Sequence, residues 1–204
     1  MRQAWVIVVG VALSLAAQDS SVKPKISDVL LTPEQIAVYR AVLKDYLKGS
    51  EGALNVANRT ELFDQTGPMS DKACISGIRL ETTNAHSLTV HRLDPSVALD
   101  SGIVLVDPDK QQEAIKGNDP QELVKKVVDD QEAVTDKQID ESVKHAFQTG
   151  LFTLSEIVFD KEHRRAIVTY SFVCGSLCGN GNTLVLNRTG RAWRVTKTCG
   201  GWVS

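Results

Sequence analysis

Between Ala166 and Leu186, apolar residues alternate on both sides of the stretch C-G-S-L-C, and this restricts the fold more than any other feature. Successive side chains on a strand point to opposite faces. Pairing Ala166 with Leu186, Val168 with Leu184 and Tyr170 with Asn182 places Ala166, Val168, Tyr170 and Phe172 on one face with Leu184 and Leu186. A slip of one residue would separate the two apolar sets. This register predicts an antiparallel hairpin with a three-residue loop, Gly175-Ser176-Leu177, and sets Cys174 opposite Cys178. Directly opposed residues lie about 4.5–5.5 Å apart, within disulfide reach. A bridge closing so small a loop contributes on the order of 2 kcal/mol in the chain-entropy account.

The strand period governs everything after Leu151. "LFTLSEIVF", "RAIVTYSFVC", "NTLVLN" and "RAWRVTKTC" read as strands with short connections, which predicts an antiparallel meander over 151–204. Before it the period is helical. Thr32, Pro33 and Gln35 form an N-cap, a first-turn proline and a capping box, with Leu31 and Ile36 as the hydrophobic staple. Ile36, Tyr39, Val42, Leu43, Tyr46 and Leu47 then share one face. A second helix follows Asp107 and Pro108 and stops at Gly117. A third is predicted from a box of Asp119 and Glu122, burying Leu123, Val124, Val127 and Val128. A fourth starts at the Thr135–Gln138 box with the Val134–Ile139 staple, buries Ile139, Val143, Ala146 and Phe147, and ends at Gly150. "LETTNAHSLTVHRL" and "SGIVLVDP" are short strand-like runs between them. Helices followed by a meander define an α+β class, with helices packed on a C-terminal antiparallel sheet.

A chain of 204 residues has room for one such domain, here 32–204. Ahead of it, Arg2, the apolar run "AWVIVVGVALSLAA" and polar "QDSSVKPK" read as a signal peptide over 1–17, cleaved after Ala16 or Ala17, and a flexible leader over 18–31. The apolar run is shorter than the roughly 20 residues of a spanning helix, so no transmembrane span is expected after cleavage. The predicted location is secreted or periplasmic. In an oxidising compartment four cysteines suggest two disulfides. With Cys174 joined to Cys178, elimination pairs Cys74 with Cys199, and Cys199 shares strand parity with Trp193 and Val195, which predicts that it faces the core.

The tail resembles the C-terminal part of a group of exported bacterial proteins with no defined function. The shared pattern is C-G-x-L-C-G-x-G, an apolar strand, G-x-W-x-V and a terminal W-[IV]-S, here Cys174–Gly181, Leu184–Leu186, Gly190–Val195 and Trp202–Ser204. Arg191 and Ala192 lengthen the Gly190–Trp193 spacing by one residue. The resemblance covers about a quarter of the chain and implies export without implying an activity. The order of elements is also similar to NTF2-like or cystatin-like curved sheets, an analogy of architecture alone.

Few residues read as chemistry. A redox pair is normally C-x-x-C at a helix N-terminus, whereas this pair is C-x-x-x-C between strands. Zinc held by Cys174, Cys178, Cys199 and a histidine competes poorly with disulfide formation outside the cytoplasm. The glycines do not follow G-x-G-x-x-G and no helix follows them, so phosphate binding is disfavoured. The net charge of −2, without a basic run, argues against nucleic acid. His86 and His91 fall on opposite faces of a presumed strand, His145 on the polar side of its helix, and His163 in an exposed charged turn. Ser176 lacks the G-x-S-x-G elbow. Asn58 and Asn187, each in N-R-T, read as polar turn residues, and Trp193, Trp202, Phe172 and Tyr170 as core.

The weak catalytic candidates are Glu156, Asp160 and His163, with Glu162 nearby, at strand ends where surface charge is the ordinary explanation. No cofactor or metal is expected. Two readings follow. One is a disulfide-stabilised binding module for an envelope protein, a glycan or a small ligand. The other is a small extracytoplasmic hydrolase using those carboxylates or the histidine.

Overall fold

The computed structural model describes residues 24–48, 52–63, 75–81, 88–98, 102–129 and 133–204. The signal segment, Cys74 and His86 lie outside these residues. The elements in chain order are β1 (Lys25–Ser27), α1 (Pro33–Tyr46), β2 (Leu54–Ala57), β3 (Thr89–His91), β4 (Ile103–Val106), α2 (Pro108–Gly117), α3 (Gln121–Val128) and α4 (Asp136–Thr149). They continue with β5 (Leu151–Leu154), β6 (Val158–Phe159), β7 (Arg165–Gly175), β8 (Cys178–Thr189) and β9 (Ala192–Val203). No described helix is long and apolar enough to cross a membrane.

The class is α+β. The main sheet has the order β4-β2-β5-β7-β8-β9, and β6 also pairs with β7. From β5 onward the pairs are antiparallel and form the expected meander. The two strands at the other edge, β2 and β4, run parallel to each other, and β2 runs parallel to β5. Parallel neighbours need a long crossover between them, and here helices and loops supply it. Lys25–Ser27 departs from the predicted flexible leader: it pairs in parallel with Thr89–His91, so order reaches back to the start of the described chain.

Local rules account for the helix starts. Thr32 and Thr135 both make complete capping boxes, with Gln35 and Gln138 returning the bond. Asp107 accepts from the amides of Asp109 and Lys110 at the head of α2. The α1 face of Val38, Tyr39, Val42 and Leu43 is fully buried against Val56, Phe152, Leu154, Val168 and Leu186 of the sheet, and Trp193 of β9 closes the same cluster. Each such aliphatic side chain contributes roughly 1.5–3 kcal/mol by leaving water. The opposite sheet face is covered in pieces. Ile115 of α2 packs on Ala57 and Leu151, and the segment around Ile75, Ile78 and Leu80 packs on Phe63, Val158 and Ile167.

Two helix faces differ from expectation. In α3 there is no Asp119–Glu122 box: Glu122 pairs with Lys125, and Asp119 turns toward Gln121 and Ser176. Val124, Val127 and Val128 are exposed, and in α4 only Ala146 is buried while Ile139, Val143 and Phe147 face solvent. Amphipathic periodicity shows that a helix has an apolar side, but not that the fold supplies a cover for it.

Bulges produce two further corrections. The predicted register holds from Ala166↔Leu186 to Val173↔Gly179, then shifts so that Gly175 pairs with Cys178. Cys174 is therefore the extra, bulged residue, and the loop is the two-residue turn Ser176-Leu177. In β9 the pairs Leu186↔Val195 and Val185↔Lys197 leave Thr196 over, its hydroxyl donating to the Val185 carbonyl at 3.1 Å. That extra residue reverses the strand's parity. Cys199 consequently packs with Val185 and Ile78 on the second face rather than in the α1 core. Asn187 likewise sits inside β8 and not in a turn.

Candidate functional site

Glu156 falls in one buried network, while Asp160 and His163 share one turn. Glu156, on the β5–β6 connection, is buried and not a surface charge. One carboxylate oxygen accepts from the Thr60 hydroxyl and from the His91 amide at 2.8 Å; the other lies 2.9 Å from His91 Nδ1. Beneath it the Tyr39 hydroxyl donates to the Ser155 carbonyl at 3.1 Å. Burial, and after it the Glu156 charge, pushes the Tyr39 phenol well above its ordinary value. The network clamps β3 to the β5–β6 connection. Its members come from four chain segments, which is why spacing could not reveal it.

Asp160, also buried, accepts from the amides of Arg164 and Arg165 at 2.7 and 2.9 Å and so shapes the β6–β7 turn. His163 sits in that turn with φ of 51°, a left-handed conformation. It is not free in solvent. Its ring stacks on Phe159 at 4.6 Å, and Nδ1 lies 2.9 Å from Glu34 of α1. The hydrogen bond to Glu34, opposed by desolvation and aided by Glu34 and Glu81 charge, raises the His163 pKa. Glu34 also takes Arg188 of β8 at 2.9 Å. This is a tie between α1 and the sheet. Among the described residues no cluster of three or more His, Cys, Asp or Glu side chains could hold a metal.

The hairpin tip is more distinctive. Cys174 and Cys178 are disulfide-bonded with Cα atoms 5.0 Å apart. Cys199 is disulfide-bonded as well, while Cys74, its predicted partner, lies outside the described residues. Asp119, between α2 and α3, holds the tip: one oxygen accepts from the Ser176 amide at 2.9 Å, the other from the Gln121 amide at 3.0 Å. Burial works against the Asp119 carboxylate, but these donors outweigh it and hold the carboxyl below its ordinary value. Gly175 must be a glycine for this approach, because a Cβ there would lie 2.8 Å from Asp119 Oδ1.

A groove of about 590 Å³ opens beside the bridge, between α4, the tip and the chain end. Phe172 and Cys174 form its floor; Val143, Phe147, Leu177 and Val203 form its walls. Phe147 stacks on Phe172 at 6.0 Å. The wall residues are prominent: Phe147 is 56% exposed, Leu177 68% and Val203 86%. None of the side chains lining the groove carries a charge. Phe172 was expected in the core, and it belongs both to the core and to this surface. Leu177 and the exposed face of α4 were missed as surface; the helical periodicity was the available signal.

Comparison with protein-family models, with curated proteins and with solved structures finds no match for the chain.

Proposed function

We propose that this protein is an exported, disulfide-stapled binding module that holds an apolar segment of an envelope polypeptide in the groove at its hairpin tip. The observation that carries the reading is the groove of uncharged side chains walled by exposed Phe147, Leu177 and Val203. Contiguous exposed apolar surface on a folded domain marks an interaction site. The lining favours apolar side chains over a glycan, whose hydroxyls would require a denser set of polar partners. Export is supported by the basic and apolar N-terminal run and by the bonded cysteines. Kinship with the exported bacterial group rests on the tail pattern alone. The hydrolase reading gains nothing, because Glu156 is bonded to Thr60 and His91, Asp160 to the amides of its own turn and His163 to Glu34.

The test is site-specific photo-cross-linking in cells. A photoreactive side chain at position 177 is expected to give one discrete adduct, which Phe147→Glu abolishes. A probe at Lys161, remote in sequence in the β6–β7 turn, serves as control. Identical adducts from both positions, or an adduct that survives Phe147→Glu, would refute the groove. Export is tested by the amino terminus of the protein recovered outside the cytoplasm, expected at Ala17 or Gln18.

A further inference from the structure

The second face of the sheet carries a cleft that the groove reading does not use. Its floor crosses three strands through Ala57 of β2, Leu151 and Thr153 of β5, and Ser171 and Val173 of β7. Leu151 opposes Val173 and Thr153 opposes Ser171 across β5 and β7. Gln112 and Ile115 of α2 form the wall, and Glu61 closes the end. The volume is about 160 Å³, below the roughly 300–1,000 Å³ of drug-sized sites. A molecule of a few heavy atoms fits, and a peptide does not.

The polar groups differ in what they have left to offer. The Thr153 and Ser171 hydroxyls lie 2.7 Å apart, one donating to the other, and Thr153 also bonds Glu61. Arg59 is bound to Asp109 at 2.7 Å, which ties the floor to the wall. Glu61 is reachable by solvent, yet protein surrounds it enough for burial to raise its carboxyl pKa, against weaker opposing effects of the Thr153 hydrogen bond and the Arg59 charge. The two carboxylates and one guanidinium leave a net negative charge at the mouth. An anion would meet Glu61 and Asp109. A neutral polyol would find acceptors on the hydroxyl pair but would leave the carboxylate charge unpaired. An ammonium brings three donors and the missing charge, and a short alkyl chain behind it would lie against the half-buried Pro108 and Val173.

We infer that the cleft between α2 and strands β2, β5 and β7 binds a small aliphatic amine, its ammonium at Glu61 and its alkyl chain against Pro108 and Val173. The cleft and the groove use alternate residues of β7, Ser171 and Val173 against Phe172 and Cys174, and so lie on opposite faces. The two readings therefore stand or fall separately.

The test is an amide-resolved NMR titration of the mature protein with n-butylamine, n-butanol and butyrate at matched ionic strength. The amine is expected to shift amides of 57–61, 109–115 and 151–153 saturably, with the alcohol and acid weaker by about tenfold or more, as loss of one charge-assisted hydrogen bond implies. Glu61→Gln is expected to remove that preference. Asp109→Asn releases Arg59 to compete for Glu61 and is expected to weaken the amine as well, which keeps the test open should Glu61→Gln fail to fold. Equal binding of butanol and butylamine, amine binding unchanged in either folded variant, or no saturable shift would overturn the inference.

Discussion

Truncating Glu156 tests whether this buried carboxylate is a structural clamp. Three donors converge on it: the Thr60 hydroxyl, the His91 amide and His91 Nδ1. Thr60 and Glu156 are both nearly inaccessible to solvent. Glu156→Ala removes all three bonds; the Thr60 hydroxyl keeps the His91 carbonyl at 3.2 Å and the His91 amide keeps the Thr60 hydroxyl at 2.8 Å, so the loss falls mainly on His91 Nδ1 and on charge assistance. Loss of hydrogen bonds to a charged acceptor costs about 1.5–3 kcal/mol, and with the lost packing the expected total is about 2–4 kcal/mol. Glu156→Gln keeps an acceptor for Thr60 and the His91 amide and loses mainly charge assistance. Its expected cost is about 1–2 kcal/mol. Urea unfolding followed by circular dichroism measures both, with an unchanged slope marking a stability effect alone. A cost below about 1 kcal/mol for Glu156→Ala, or an alanine variant no worse than the glutamine one, would refute the clamp.

Thr32→Ala removes one side of a complete capping box and is expected to cost about 1 kcal/mol by the same urea measurement. Gly150→Ala would drive a Cβ into the Phe172 ring; the expected cost is about 1–3 kcal/mol, and Phe172→Leu in the same chain should recover part of it. The raised His163 pKa means that its tie to Glu34 contributes fully below the ordinary histidine pKa and is lost as pH rises through the folded value. Because the ring is partly exposed, the fall in stability above pH ~6.5 should be under about 1 kcal/mol, and smaller in Glu34→Gln, where Glu81 alone remains, when unfolding is followed across pH. Non-reducing peptide mapping should yield a Cys174–Cys178 peptide and a Cys74–Cys199 peptide, and a free thiol at Cys74 would refute the second pairing.

The sequence by itself determined what is local. Capping boxes at Thr32 and Thr135 act over three residues, and the α1 stripe and the hairpin register need only a period and a short turn. The bonded tip followed from that register because opposed strands bring their residues together. Tertiary structure decided what depends on distant segments. β2 was missed because a four-residue strand becomes one only through β4 and β5 beside it. Thr196 bulged and turned Cys199 to the other face, since a single inserted residue reverses every later side chain in a period of two. Glu156 and His91 are separated by 65 residues and meet only in the folded chain. The apolar faces of α3 and α4 were legible, but periodicity does not encode whether another element arrives to cover them. The exposure of the α4 face among the described residues, and not the cysteine pair, is what the proposed binding surface rests on.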